Sequence, residues 1–219
     1  IYTLSLHDAL PIYQPDKKLV QAKLKDQESQ QATLSSKQSE KAKLIADTKN
    51  DQNNYAALAQ KRNSEVAKLR EEQAAANRRA LGRSGASIPG GIPGGGGYPG
   101  AWASAPLDAY VDPWGLYTRE CVSYVAWKIH STGRYVPHFG GAGNANQWPS
   151  TAARYGISSG STPKVGSAAV MDIGYYGHVM YVESVNGDGT ITVSDYNFSW
   201  DGLYRYYTRS ASGLTYVYF

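Results

Sequence analysis

The sequence predicts three consecutive parts: a long coiled-coil helix, a Gly/Pro-rich linker and an α+β domain with an antiparallel sheet. Three observations predict this fold class. Residues 20–80 follow an alternating spacing of four and three, glycine and proline crowd residues 82–100, and all five Trp lie beyond Tyr98. A chain of 219 residues has room for one ordinary domain beside the helix.

The first residues differ from everything that follows them. The string "IYTLSLHDALPI" matches neither the helical segment nor the aromatic-rich one, and it resembles a translated sequencing adapter. We interpret residues 1–13 as a non-native leader and exclude them from fold reasoning. We therefore expect the native N-terminus, with any export signal, to lie outside this sequence.

Residues 14–81 are predicted to form a coiled-coil helix. The seam starts at Val20 and Leu24 and continues to Ala80, and ten of its eighteen positions are apolar. Several of the others are Gln, so the seam is weak and favours a partner helix, which is either a second copy or a preceding helix. Two alternatives remain open: a hairpin turned at residues 50–54, "NDQNN", and a single solvated helix.

Residues 82–100 are predicted to be a flexible linker, and residues 101–219 the globular domain. The Gly and Pro density of "GRSGASIPGGIPGGGGYPG" is incompatible with regular helix or strand. The aromatic residues that fill a core come after it. We accordingly place the catalytic or binding chemistry in residues 101–219.

Charge and cysteine usage exclude several classes of function. The net charge of +4 comes from residues 14–81, which carry 14 Lys and Arg against 9 Asp and Glu. The globular part has no basic cluster interleaved with aromatics, so we expect no nucleic-acid partner. No run of 18 apolar residues exists, so no transmembrane segment is predicted. A single cysteine excludes an internal disulfide and a Cys-cluster zinc site.

The stretch "GHVMYVESVNGDGTITVSDYN" is predicted to be a β-hairpin. A turn at Asn186–Gly187 would set His178 opposite Asp195, whereas a turn at Gly187–Asp188, or a loop of all four turn residues, would set it opposite Asn197. Each of these loops has an even number of residues, so the three polar side chains share one face. Because that face is otherwise apolar, we expect them to have hydrogen-bond partners.

The segment "YTRECVSYVAWKIHSTG" is predicted to be a helix with Cys121 in its first turn. There the unpaired backbone N–H groups and the helix dipole favour a thiolate. A buried, inert cysteine is the alternative. Nucleophilic catalysis by a thiolate needs a base within hydrogen-bond reach and a group that orients the base. The hairpin offers His178 as that base.

These segments together resemble the CHAP domain of bacterial and phage cell-wall lytic enzymes. The resemblance rests on "RECVSYVAW", "GNANQW", "GHVMYVE" and "SDYN", and it extends over residues 101–219. It implies a papain-like α+β fold with Cys121 as nucleophile and His178 as base. Asp195 stands where relatives have Glu, and Asn197 stands at the Asn that helps orient the imidazole. Glu120 replaces a usual Gln, and we expect its carboxylate to point away from the sulfur.

The resemblance also implies a substrate and a location. It implies hydrolysis of an amide in peptidoglycan by a secreted or cell-surface protein, as a muramoyl-L-alanine amidase or a peptide-cleaving endopeptidase. Asn144, Trp148 and Tyr176 are the predicted groove-lining residues. We expect no cofactor and no metal, because Asp112 alone matches the calcium-binding positions of some relatives.

Two other classes of protein fit parts of the sequence. A non-catalytic wall-binding or scaffold protein would keep the fold without the chemistry. A structural coiled-coil protein would bind a partner helix and cause no lysis.

Overall fold

The computed structural model describes the backbone of residues 10–83 and 89–219, with side chains from residue 17 onward. It divides into two compact units, residues 1–63 and 64–219. The outermost part of the predicted leader, residues 1–9, lies outside the described residues.

The predicted long helix is confirmed as α1, Leu10–Arg83. In the first unit its described side chains are exposed, including the seam residues Leu24, Leu34 and Ile45. An exposed apolar seam lacks the burial that usually stabilises such a helix. None of the described helices is both long and apolar enough to cross a bilayer.

The second unit is an α+β domain, as predicted. After α1 come the helices α2 (Gly100–Ala103), α3 (Cys121–His130) and α4 (Trp148–Ala153), the last preceded by a 3-10 turn at Ala145–Gln147. The strands are β1 (Ser159–Gly160), β2 (Ala168–Met171), β3 (His178–Val185), β4 (Thr190–Tyr196), β5 (Tyr204–Ser210) and β6 (Thr215–Val217). They form an antiparallel sheet in the order β1-β6-β2-β3-β4-β5. A helix that begins with a cysteine and packs on an antiparallel sheet is the papain-like arrangement.

Both faces of this sheet are buried, by different elements. On one face α3 packs through Tyr124 and Val125 against Val179 of β3. On the other face Met180 and neighbouring apolar side chains pack with Leu81, which comes from the end of α1. The central strands therefore lose the apolar–polar alternation of a half-exposed sheet.

The β3–β4 hairpin places His178 and Asp195 on one face, as predicted. The length of its loop, however, differs from the prediction. Asn186 donates its backbone N–H to the Thr190 carbonyl, so the loop has three residues rather than two or four. An odd loop alone would turn His178 and Asp195 to opposite faces. A β-bulge between Val182 and Ser184 shifts the register by one residue and restores the common face.

The predicted flexible linker is wrong for its second half. Residues 84–88 lie outside the described part of the chain, but from Pro89 the segment packs on the domain. Ile92 forms a bridge with Tyr204 of β5, and Tyr98 is buried in the core. Glycine allows this, because a Cβ at Gly95 would lie 2.3 Å from the Tyr204 ring. The domain thus begins before residue 101.

Substitution of Leu81 tests whether the end of α1 belongs to the domain core. Leu81 is fully buried, so Leu81→Ala should lower the free energy of unfolding by about 2–5 kcal/mol through lost burial and a residual cavity. Leu58→Ala, at an exposed position of the same helix, is the control and should change it by less than about 0.5 kcal/mol. Urea unfolding followed by tryptophan fluorescence measures both. Equal effects would contradict this packing.

Candidate active site

Cys121 is the first residue of α3. The residue before it, Glu120, is extended (φ −81°, ψ 156°), and Arg119 before that adopts a positive φ of 66°. This turn ends the incoming loop and starts the helix at the cysteine. The first backbone N–H groups of a helix have no intrahelical partner and point toward the space in front of it. Cys121 is therefore set among unpaired donors, with 8% of its surface exposed.

His178 begins β3 and is held by a buried carboxylate. Its Nε2 lies 2.9 Å from Asp195 Oδ2, and the two side chains are 2% and 0% exposed. Asp195 thus occupies Nε2, and Cys121 also acts electrostatically on the ring. Burial opposes the charged ring, but the charges of Cys121 and Asp195 and hydrogen bonds to both outweigh it and raise the pKa of His178 to about 10. The structure thus favours an imidazolium beside the sulfur.

Asn197 does not orient the imidazole in this structure, which corrects the role implied by the resemblance. Its side-chain amide donates to Glu120 Oε2 at 2.8 Å, and its carbonyl oxygen accepts from the Gly202 N–H at 2.8 Å. Its positive φ of 58° ends β4 and turns the side chain toward the loop. Asp195 is therefore the group that contacts His178.

Glu120 lines the same cavity as Cys121, and its Oε2 accepts the side-chain amide of Asn197 at 2.8 Å. Burial, followed by the charge of Asp108, raises the pKa of Glu120 to about 8. The surroundings therefore favour the protonated form of this carboxyl group, which repels a thiolate less than a carboxylate would.

A cavity of about 420 Å³ contains these groups. Asn144 and Tyr176 line it, as predicted for the groove. Trp148 does not: it is fully buried, stacks on Phe139 at 4.6 Å, and donates its indole N–H to the Gly143 carbonyl. Its large apolar surface stabilises the core instead, so the prediction for Trp148 is wrong.

Asp112 has a structural role in the loop before α3. Its Oδ1 accepts the backbone N–H groups of Trp114 and Leu116, each at 2.9 Å. Among the residues that the structure describes, no three His, Cys, Asp or Glu side chains gather as metal ligands would.

The end of α1 lies over the cavity. Two of its buried amide side chains hydrogen-bond to the loops on either side of the cavity, which form its two rims. Gln73 accepts the Tyr176 N–H and donates to the Ile173 carbonyl, both at 2.9 Å. Asn77 donates to the Phe198 carbonyl at 2.8 Å. Gln73 and Asn77 are 2% and 1% exposed, so these bonds are shielded from water. A ligand entering the cavity from this side would have to replace them.

One turn earlier on α1, an arginine closes the same side of the cavity. Arg70 Nη2 forms an ion pair with Asp108 Oδ2 at 2.6 Å, and its guanidinium lies 5.3 Å from the Trp200 ring centroid. Arg70 also opposes the rise in the pKa of Glu120. The helix therefore contributes charge as well as hydrogen bonds to the site.

Sequence reasoning missed these helix residues for a definable reason. Gln73 occupies a coiled-coil seam position, where an uncharged polar side chain indicated only a weak partner helix. The buried stripe leaves that seam after Gln73 and continues through Asn77 and Leu81. A helical period shows which face is buried, and it does not show whether a helix or a sheet domain covers it.

Comparison with known proteins identifies relatives of the domain. Residues 111–197 match the sequence model of a family described as the CHAP domain. A 56-residue stretch is 55% identical to N-acetylmuramoyl-L-alanine amidase sle1 of Staphylococcus aureus strains USA300 and NCTC 8325 / PS 47, covering 26% of this chain and 17% of the relative's length. A crystal structure of an N-acetylmuramoyl-L-alanine amidase from Staphylococcus aureus aligns with a TM-score of 0.44 and 28% identity, over 51% of this chain and 33% of that one.

Cysteine reactivity measures how far α1 shields the cavity. Gln73→Ala combined with Asn77→Ala removes the amide bonds to both rims, so iodoacetamide should alkylate Cys121 about tenfold faster than in the unsubstituted chain. The control is Gln60→Ala with Asn63→Ala, two exposed amides on the same helix. Mass spectrometry of the intact chain gives the rates. Equal rates in the three proteins would show that the helix does not limit access.

Removal of the Asp195 charge tests the electrostatics of His178. In Asp195→Asn the pKa of His178 should fall from about 10 toward the ordinary 6.5, because a charge and a hydrogen bond that raise it are lost. A raised pKa stabilises the folded chain below about pH 6.5, and this stabilisation is lost as the pH rises through about 10. Imidazole NMR titration reports the change. Asp172→Asn, at an exposed carboxylate, should leave the titration unmoved, and an unmoved titration in Asp195→Asn itself would contradict the assignment.

Proposed function

We propose, from the premise that residues 111–197 form a CHAP domain, that this protein hydrolyses an amide bond in the peptide part of bacterial peptidoglycan. The observation that carries the proposal is the placement of His178, fixed by the buried Asp195, beside Cys121 at the start of α3. The sequence match to a muramoyl-L-alanine amidase supports the substrate class. Peptidoglycan lies outside the membrane, so the proposed location is the bacterial envelope.

The proposed reaction proceeds through an acyl-enzyme. The Cys121 thiolate attacks the amide carbonyl and forms the carbon–sulfur bond, and protonated His178 delivers its proton to the leaving amine as the carbon–nitrogen bond breaks. Neutral His178 then takes a proton from water, whose oxygen attacks the thioester. The acid is released, and Cys121 and protonated His178 are restored as an ion pair.

Backbone donors at the start of α3 would stabilise the oxyanion. The N–H groups of Cys121 and Val122 belong to the first turn, where the helix leaves them without an intrahelical partner. Developing negative charge near the sulfur would accept these bonds and would also lie at the positive end of the helix dipole. Asn144 and Tyr176, which line the cavity, are the proposed substrate contacts.

The exposed seam of α1 supports a further proposed partner. Its apolar residues between Val20 and Tyr55 are exposed in this chain, and they fit a second helix, from another copy or another protein.

Wall clearing by the full chain tests the proposed chemistry. The Gln73→Ala/Asn77→Ala protein should clear suspended cell walls, and adding Cys121→Ser should reduce the rate by a factor on the order of 10⁴, because the nucleophile is lost. Pelleting with cell walls checks that the serine variant still binds. Equal clearing with and without Cys121 would refute the nucleophile, and binding without clearing in both would favour the scaffold alternative.

The released fragments identify the bond. Mass spectrometry should detect a new N-terminal L-alanine if the muramoyl amide is cut, and a new amine within the stem or cross-bridge peptide if the protein is an endopeptidase. Either product supports the proposed reaction. Products with a new reducing sugar end would contradict it.

A further inference from the structure

The carboxylate that holds His178 has a second donor, on a strand beyond the matched domain segment. The Tyr207 hydroxyl donates to Asp195 Oδ2 at 2.9 Å, the same oxygen that contacts His178 Nε2. The other oxygen, Asp195 Oδ1, is buried without a hydrogen-bond partner in the described part of the chain. Both bonds that fix the carboxylate therefore converge on a single oxygen.

Strand pairing places Tyr207 beside this carboxylate. In the β4–β5 register Val193 faces Tyr207 and Asp195 faces Arg205, so Tyr207 and Asp195 are diagonal neighbours on one face. Diagonal side chains lie about 7 Å apart at their bases, which a tyrosine ring spans. The contact is thus a product of the sheet register.

Packing fixes the tyrosine ring independently of its hydrogen bond. Tyr207 is 7% exposed and meets Phe198 edge-to-face, with ring centroids 6.1 Å apart. Phe198 in turn meets the His178 ring edge-to-face at 5.0 Å. One aromatic side chain therefore separates and orients the two rings that bond to Asp195.

The tyrosine hydroxyl keeps its proton and serves as a donor to Asp195. Burial, followed by the charge of Asp195, raises the pKa of Tyr207 well above its usual value of 10. A hydroxyl that keeps its proton beside a carboxylate donates to it, and such a bond stabilises the negative charge.

We propose that Tyr207 is a positioning residue for the catalytic pair: it holds Asp195 Oδ2 toward His178 and stabilises the negative charge of the Cys121–His178–Asp195 group. The proposal rests on the proposed function only in taking Cys121 and His178 as the reacting groups. Tyr207 lies outside residues 111–197, the part of the chain that the family match covers.

Loss of this hydroxyl has a predictable sign. When a buried anionic group loses a hydrogen-bond donor, its more protonated states become more favourable. Each protonation step of the interacting side chains therefore occurs at a higher pH. Loosened folding alone would reduce the amount of active protein and leave the pH dependence in place. The pH profile therefore separates positioning from general stability.

Other groups act on the same carboxylate, and all of them persist in the variants below. Besides His178 and Tyr207, the titratable side chains that interact electrostatically with Asp195 include Tyr124 on α3 and Tyr204, Arg205 and Arg209 on β5. Cys121 on α3 acts on His178. A difference between variants thus reports the hydroxyl.

The experiment uses the full chain carrying Gln73→Ala and Asn77→Ala, so that access is equal throughout. Adding Tyr207→Phe should move the acid limb of the pH profile for Cys121 alkylation by iodoacetamide up by about one pH unit. The same shift should appear in both limbs of the wall-clearing profile, with kcat lowered about tenfold and KM unchanged. The matched control is Tyr206→Phe, at an exposed position on the opposite face of β5.

A double substitution shows whether Tyr207 acts through Asp195. In an Asp195→Asn background, Tyr207→Phe should leave the alkylation profile unmoved, since the charge it stabilises is gone. An unmoved profile in the single variant, or an equal shift in the Asn background, would overturn the proposal. Alkylation does not require hydrolysis, so a chain that fails to clear walls would refute the proposed function and leave this test intact.

Discussion

The contact between His178 and Asp195 is the interaction on which the rest of the site depends. Both side chains are almost completely buried, and an isolated charge in such a place is strongly unfavourable. Asp195 favours the charged form of the imidazole, and Cys121 acts electrostatically on the same ring. A buried ion pair is energetically favourable only while both partners are in place. The surrounding sheet must therefore hold the two side chains within hydrogen-bond distance.

A single extra residue in β3 makes that contact possible. The three-residue loop of the hairpin would separate the imidazole and the carboxylate, and the bulge at Glu183 reverses the separation. Glu183 is itself fixed, because its carboxylate accepts from Ser194 at 2.7 Å and lies 3.6 Å from Lys128 of α3. The irregularity that sets the register is thereby tied to α3, the helix that begins with Cys121.

Sequence patterns predicted the hairpin and the helix of the site better than they predicted the residues that pack around them. The alternation of the hairpin and the helical spacing after Cys121 are local, and both elements formed as predicted. The bulge was not predictable, since Glu183 has no feature that marks it as an extra residue. The burial of Trp148 and the packing of Gln73 and Asn77 over the cavity depend on residues distant in sequence. Local periodicity carries no information on such partners.

The central claim is that the sulfur of Cys121 and the ring of His178 are close enough to exchange a proton. A bifunctional reagent that spans a few ångströms, 1,3-dibromoacetone, measures this directly when the alkylated chain is digested and its cross-linked peptides are identified by mass spectrometry. We expect one dominant cross-link, between Cys121 and His178. A cross-link from Cys121 to His130 or His138, the other two histidines of residues 101–219, or alkylated Cys121 with no cross-link, would contradict it.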